Sequence, residues 1–85
     1  MLFVIQHTHD YSTCQTHHPD LAPLFRDTIA NLGNHGVTVH AQYSNRLEHT
    51  LFIICEADDF DALDAAFDPI LELGNYKATR VKKRD

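Results

Sequence analysis

The run Thr50-Leu51-Phe52-Ile53-Ile54-Cys55 constrains this chain more than any other segment. It is almost continuously apolar and rich in β-branched and aromatic residues, the pattern of a central strand covered on both faces. Such a strand needs partners on both edges and a layer on each side. The chain supplies the edges by using one strand–helix–strand unit twice. Leu2-Phe3-Val4-Ile5, continuing into Gln6-His7-Thr8-His9, reads as a first strand that starts apolar and ends polar. Asp10 to His18 has no periodicity and reads as a loop. Asp20 suits the N-cap of a helix whose apolar positions Leu21, Leu24, Phe25, Ile29 and Leu32 recur at helical spacing, with Pro23 tolerated in the first turn. Gly33 and Asn34 end that helix, and Gly36 opens the next element.

Val37, Val39, Ala41 and Tyr43 alternate with Thr38, His40 and Gln42, as in a half-buried strand. Ser44-Asn45-Arg46 then turns the chain into the central strand. Asp58 or Asp59 caps a second helix with Phe60, Leu63, Phe67 and Leu71 inward and Asp61, Asp64, Asp68 and Glu72 in solvent. Pro69 interrupts this helix and starts one further turn that ends at Gly74, and Tyr76 to Val81 is the last strand. The order β-α-β-β-α-β over residues 1–85 predicts a single α+β domain, a ferredoxin-like sandwich with a four-stranded antiparallel sheet. Right-handed crossovers place both helices on one sheet face. The other face, with Val, Ile, Phe and Leu in its middle strands, then needs cover. A chain of this size buries only roughly 60–65% of its unfolded surface, which also favours a partner. The expectation is a homodimer.

A net charge of −5 argues against a nucleic-acid backbone as the partner. The short basic run Lys82-Lys83-Arg84 reads as a solvated terminus. There is no helix-turn-helix segment and no aromatic-rich strand pair on which RNA bases would stack. No apolar run approaches the ~18 residues of a membrane span, and the opening strand lacks the basic segment of a signal peptide. Two cysteines cannot make a disulfide framework, and Cys55, inside the apolar run, reads as a buried thiol. These readings together place the protein in a reducing cytoplasm, away from membranes.

Seven histidines in 85 residues is the outlying feature. His7 and His9 lie two apart on a strand, so they share a sheet face about 6.6 Å apart along it. Cys14, His17 and His18 follow in the loop, giving the pattern H-x-H-x4-C-x2-H-H. Borderline and soft donors at such spacing suit Zn, Cu, Ni or Fe. The preferred reading is a divalent transition-metal site of His7, His9, Cys14 and one of His17 or His18. Asp10 and Asp20 either join it or hold the imidazoles. The alternative is a cofactor-independent enzyme of isomerase or monooxygenase type. There, His7 or His9 acts as general base, with His49 or Tyr43 orienting it. By alternation His49 shares a face with Leu51, Ile53 and Cys55, so it either reaches the same cleft or simply caps the strand's wet end. Cys14 as a nucleophile has no orienting group in the sequence. His40 falls on a polar strand face and His35 in a turn. A third reading is a structural or sensing dimer that takes a small-molecule ligand.

The same architecture resembles the dimeric α/β-barrel superfamily, whose small members include muconolactone-isomerase-like, antibiotic-monooxygenase-like and GYD-type domains. The residues that carry the resemblance are Gly36-Val37, the strand from His49 to Glu56, Glu56-Ala57-Asp58-Asp59 before a helix rich in Ala and Leu, and the last strand Tyr76 to Val81. The opening His7-Thr8-His9 with Cys14 beyond it is similar to the start of some uncharacterised small members. The resemblance implies a ferredoxin-like fold and a dimer that closes as an α/β barrel. It implies no reaction, because this architecture hosts many chemistries.

Overall fold

A computed structural model of the protein describes residues 1–14 and 17–84. The elements are β1 (Leu2–Thr8), α1 (Ala22–Ala30), β2 (Thr38–Asn45), β3 (Thr50–Glu56), α2 (Phe60–Phe67) and β4 (Asn75–Val81). Short 3-10 turns at Tyr11–Thr13, Leu32–His35 and Asp68–Leu73 link them. The strands form one sheet in the order β2-β3-β1-β4 with every pair antiparallel. This is the ferredoxin-like α+β sandwich, with β3 and β1 in the middle as the apolar run demands.

One face of the sheet holds the core. Phe3 and Ile5 of β1 and Ile53 and Cys55 of β3 are buried there against Phe25, Leu32, Leu63, Phe67 and Ile70. The outward rows of the middle strands, Val4 on β1 and Phe52 and Ile54 on β3, are only half-buried. Both cysteines are free thiols. Burial pushes the Cys55 thiol above its ordinary pKa, as expected of a core residue.

Asp59 caps α2, its carboxylate accepting from the Ala62 N–H at 2.9 Å. Pro69 sits in the first turn of Asp68–Leu73, which ends before Gly74, so the interruption lies where a proline requires it. Three details depart from the sequence reading. Asp20 does not cap α1. The chain winds into that helix through a turn, with Leu21 N–H on the His18 carbonyl at 2.9 Å and the Leu21 carbonyl taking the first helical bond. Leu21 is therefore the N-cap residue, without a side-chain bond. Leu24, Phe60 and Leu71 are exposed rather than inward. The third departure is in β2, where the register to β3 shifts between Val39 and Ala41. The extra residue, His40, makes a β-bulge and reverses the faces beyond it. Val37 and Val39 point to the core, while Ala41 pairs with Ile54 and Tyr43 with Phe52 on the open face. The bulged His40 ring meets the Glu56 carboxylate at 2.8 Å.

Candidate metal centre at the end of the first strand

The core-facing row of β1 runs Phe3, Ile5, His7 and continues into His9 just past the strand's end. His7 is only 2% exposed, packed against the rings of Phe25 at 5.1 Å and Tyr76 at 4.7 Å. Its Nε2 lies 3.2 Å from the Leu73 carbonyl, the geometry of an N–H donating to that oxygen. The Gly74 backbone closes over the same ring. A Cβ there would collide with the His7 imidazole and the Thr8 carbonyl. Burial holds the His7 pKa below its ordinary 6.5, the bond to Leu73 opposes that, and neighbouring His9 adds to the lowering. His7 is thus a neutral core histidine whose Nε2 is already engaged.

His9 is placed by the sheet. The β1–β3 ladder ends with Thr8 opposite Thr50, which puts His9 opposite His49, and the His9 N–H donates to the His49 carbonyl at 3.1 Å. His49 has φ of 51°, left-handed for a residue with a Cβ. That conformation costs on the order of 1–3 kcal/mol and persists only where the surroundings enforce it. The enforcing contacts are its N–H to the Arg46 carbonyl at 3.3 Å and the Glu48 N–H to Asn45 Oδ1 at 3.1 Å. Together they close the β2–β3 hairpin. The result aims the imidazole of His49 at His9, the rings edge-on with centroids 5.3 Å apart. His9 also stacks on His7 at 5.1 Å.

Cys14 arrives from the loop after β1. Asp10 caps the turn Tyr11–Thr13, accepting from the Ser12 N–H at 2.8 Å and from the Ser12 hydroxyl. These bonds hold the Asp10 carboxyl below its ordinary pKa. The Cys14 carbonyl then accepts from the N–H groups of His17 and His18 at 3.0 and 2.9 Å. The thiol side chain is only 4% exposed and faces inward. A ring nitrogen of His9, the Cys14 sulfur and a ring nitrogen of His49 all lie within 4.8 Å of one another.

The unsatisfied groups lie in the same place. Both ring nitrogens of His9 and Nδ1 of His49 are sealed from solvent with no hydrogen-bond partner among the described residues. Buried polar atoms are hydrogen-bonded in the great majority of cases, and an orphan leaves its desolvation uncompensated, about 1–3 kcal/mol each. Burial holds the His9 pKa below 6.5, His49 adds to this, and Asp10 opposes it. Two imidazoles with unpartnered ring nitrogens and the Cys14 sulfur make a donor set of two nitrogens and one sulfur. Tetrahedral zinc would need its ligand atoms about 3.4 Å apart, from bonds of ~2.0–2.3 Å, so the side chains must draw in by an ångström or so. Three such ligands would leave one position of a tetrahedral ion open.

Beside the three residues lies a cavity of about 170 Å³ walled by Phe25, Arg46 and Leu51. On the other side of His9 a polar groove runs past Asp10, Glu72 and Asn75. Of the residues singled out in the sequence, His9 and Cys14 meet here, joined by His49, which was read there as a catalytic candidate. His7 is turned into the core. His17 is exposed and stacks on Tyr11 at 4.5 Å, while His18 is half-buried with Nε2 unpartnered among the described residues, outside the three-residue group. Asp20 is exposed. The signal for His49 was present in the strand register: pairing the polar ends of β1 and β3 places the two histidines side by side.

No helix among the described residues is long and apolar enough to cross a membrane. No curated protein matches the chain in sequence. Among solved structures, a dimeric ferredoxin-like protein from an uncultured marine organism is similar at 14% identity, over 92% of this chain and 86% of that one, with a TM-score of 0.45. The family profile that matches, over residues 1–75, is Domain of unknown function (DUF3303), and the chain belongs to that family.

Proposed function

We propose that the protein binds a divalent transition ion through His9, Cys14 and His49. The observation that carries this reading is the coincidence of the three donors with unpartnered, solvent-sealed ring nitrogens. Two imidazoles and one thiolate suit zinc, and also copper, which favours such sets in trigonal geometry. The test is metal content and titration on untagged protein. One equivalent of zinc or cobalt per chain is expected, bound through Cys14 and lost in Cys14→Ser and His49→Ala. Less than a tenth of an equivalent after dialysis against zinc, copper and nickel would remove the reading. Full binding in His49→Ala with loss in His17→Ala would move the ligand set to the loop.

A second reading follows from His9 itself. It is kept neutral, carries two unclaimed nitrogens and lies between two cavities, as a general base requires. The chain would then be a cofactor-independent enzyme acting on a small molecule. Metal content separates the two, since the enzyme reading needs none.

In either case we infer a homodimer built on the open sheet face. Val4, Phe52 and Ile54 lie half-buried along its middle, with Ala41 and Tyr43 of β2 beside them. A contiguous apolar row of this kind on a four-stranded sheet is stabilised by a second apolar layer. An identical face on a second copy supplies one with two-fold symmetry.

A further inference from the structure

The metal reading accounts for three donors but not for the cavity that adjoins them. Its lining is uneven in chemistry. Phe25 and Leu51 are apolar, whereas Ser44, Asn45 and Arg46 are polar. Arg46 is the full cation among these residues, and it makes no ion pair with any carboxylate among the described residues. Asn45 uses its side-chain oxygen on the Glu48 N–H, which leaves its amide hydrogens as donors. The Ser44 hydroxyl is a further donor. A divalent ion held by one thiolate and two neutral imidazoles keeps a net positive charge and an open position. Ion and guanidinium therefore create a positive pocket in a chain whose net charge is −5. A cavity of about 170 Å³ holds several waters or a molecule of a few heavy atoms.

We propose that this cavity binds a small monocarboxylate, with one oxygen at the open position of the ion and the carboxylate paired with Arg46. The short carbon tail lies against Phe25 and Leu51. The inference rests on the metal reading. A planar two-oxygen anion matches the fork of a single guanidinium. A phosphate dianion has no carbon tail to lay against Phe25 and Leu51, so that part of the lining would gain nothing from it.

The experiment uses the full chain loaded with cobalt(II), whose visible spectrum reports its coordination. Sodium acetate and propionate are titrated at constant ionic strength. The expected result is a saturable spectral change, tighter for propionate than for acetate. Arg46→Gln weakens acetate by at least about tenfold, the loss of the charge-assisted pairing with the guanidinium, and leaves cobalt stoichiometry unchanged. Arg46→Lys, which keeps the charge but not the fork, binds acetate between the wild type and Arg46→Gln and guards against a misfolded first variant. One equivalent of cobalt with a spectrum indifferent to both acids overturns the carboxylate site and leaves the metal centre standing. Equal acetate affinity in Arg46→Gln overturns the role of Arg46, and inorganic phosphate outcompeting propionate overturns the ligand class. Failure to bind cobalt at all fells the metal reading, and this inference with it.

Discussion

His7 and His9 are two residues apart on one face and have opposite fates. His7 has its Nε2 on the Leu73 carbonyl and packs against the Phe25 and Tyr76 rings, whereas His9 has neither nitrogen engaged among the described residues. The difference comes from what each ring faces: the end of the Asp68–Leu73 turn closes over His7, and the hairpin presents His49 to His9. His7 has a measurable signature. Its folded-state pKa lies below 6.5, so the unfolded chain binds the proton more readily. The stability it contributes is fully present above pH 6.5 and is lost as pH falls below it. Metal-free protein should melt at lower temperature at pH 5 than at pH 7.5, at roughly 4–8 °C per 1 kcal/mol lost. His7→Phe should flatten that slope, and an unchanged slope would place the titration elsewhere. At the same ring, Gly74→Ala forces a Cβ into the imidazole and the Thr8 carbonyl. A cost of about 1–3 kcal/mol is expected from thermal melts, since the backbone on one side cannot give way.

At the level of elements, the fold was largely legible in the sequence and the site only in part. The apolar run became β3, the alternating run β2, and the Pro69 interruption a 3-10 turn, because periodicity and proline sterics act locally. The bulge at His40 was hidden, since alternation carries on through residues 37–43 whether or not one of them is extra. The cap at Asp59 was readable, but that at Asp20 was not, because a preceding turn supplied the backbone bonds first. Asp59→Ala should cost about 1 kcal/mol in chemical denaturation, and Asp20→Ala close to nothing. For the site, spacing on one segment picked out His9 and Cys14 together with His7, His17 and His18. The third donor lies on a different hairpin, and only strand pairing brings it in. Motif spacing sees neighbours along the chain, while a site built across a ladder depends on register.

For the whole molecule, the question is what covers the open face. Phe52 and Ile54 lie on the middle strand of that face, so a charge at either interrupts a dimer without touching the core side. Phe52→Glu or Ile54→Arg should shift sedimentation from dimer to monomer at micromolar concentration, with the helical content retained. Lys77→Glu, on the same face but out on β4, should leave the dimer largely in place. Monomeric wild-type protein over the same range would overturn the homodimer.

The position of the three donors has one further consequence. His9 and Cys14 lie either side of the Tyr11–Thr13 turn in the connection after β1, and His49 belongs to a hairpin reached only after α1 and β2. An ion there would work as a clasp across the chain, and because its ligands meet only in the folded sheet, its binding free energy would add to folding. The connection between β1 and α1, which contributes Cys14 and no sheet ladder, should feel the clasp most. On loading, its amide hydrogens should exchange more slowly while those of β4 keep their rates. The ion would then be read out as slowed exchange in one connection before any chemistry is assayed.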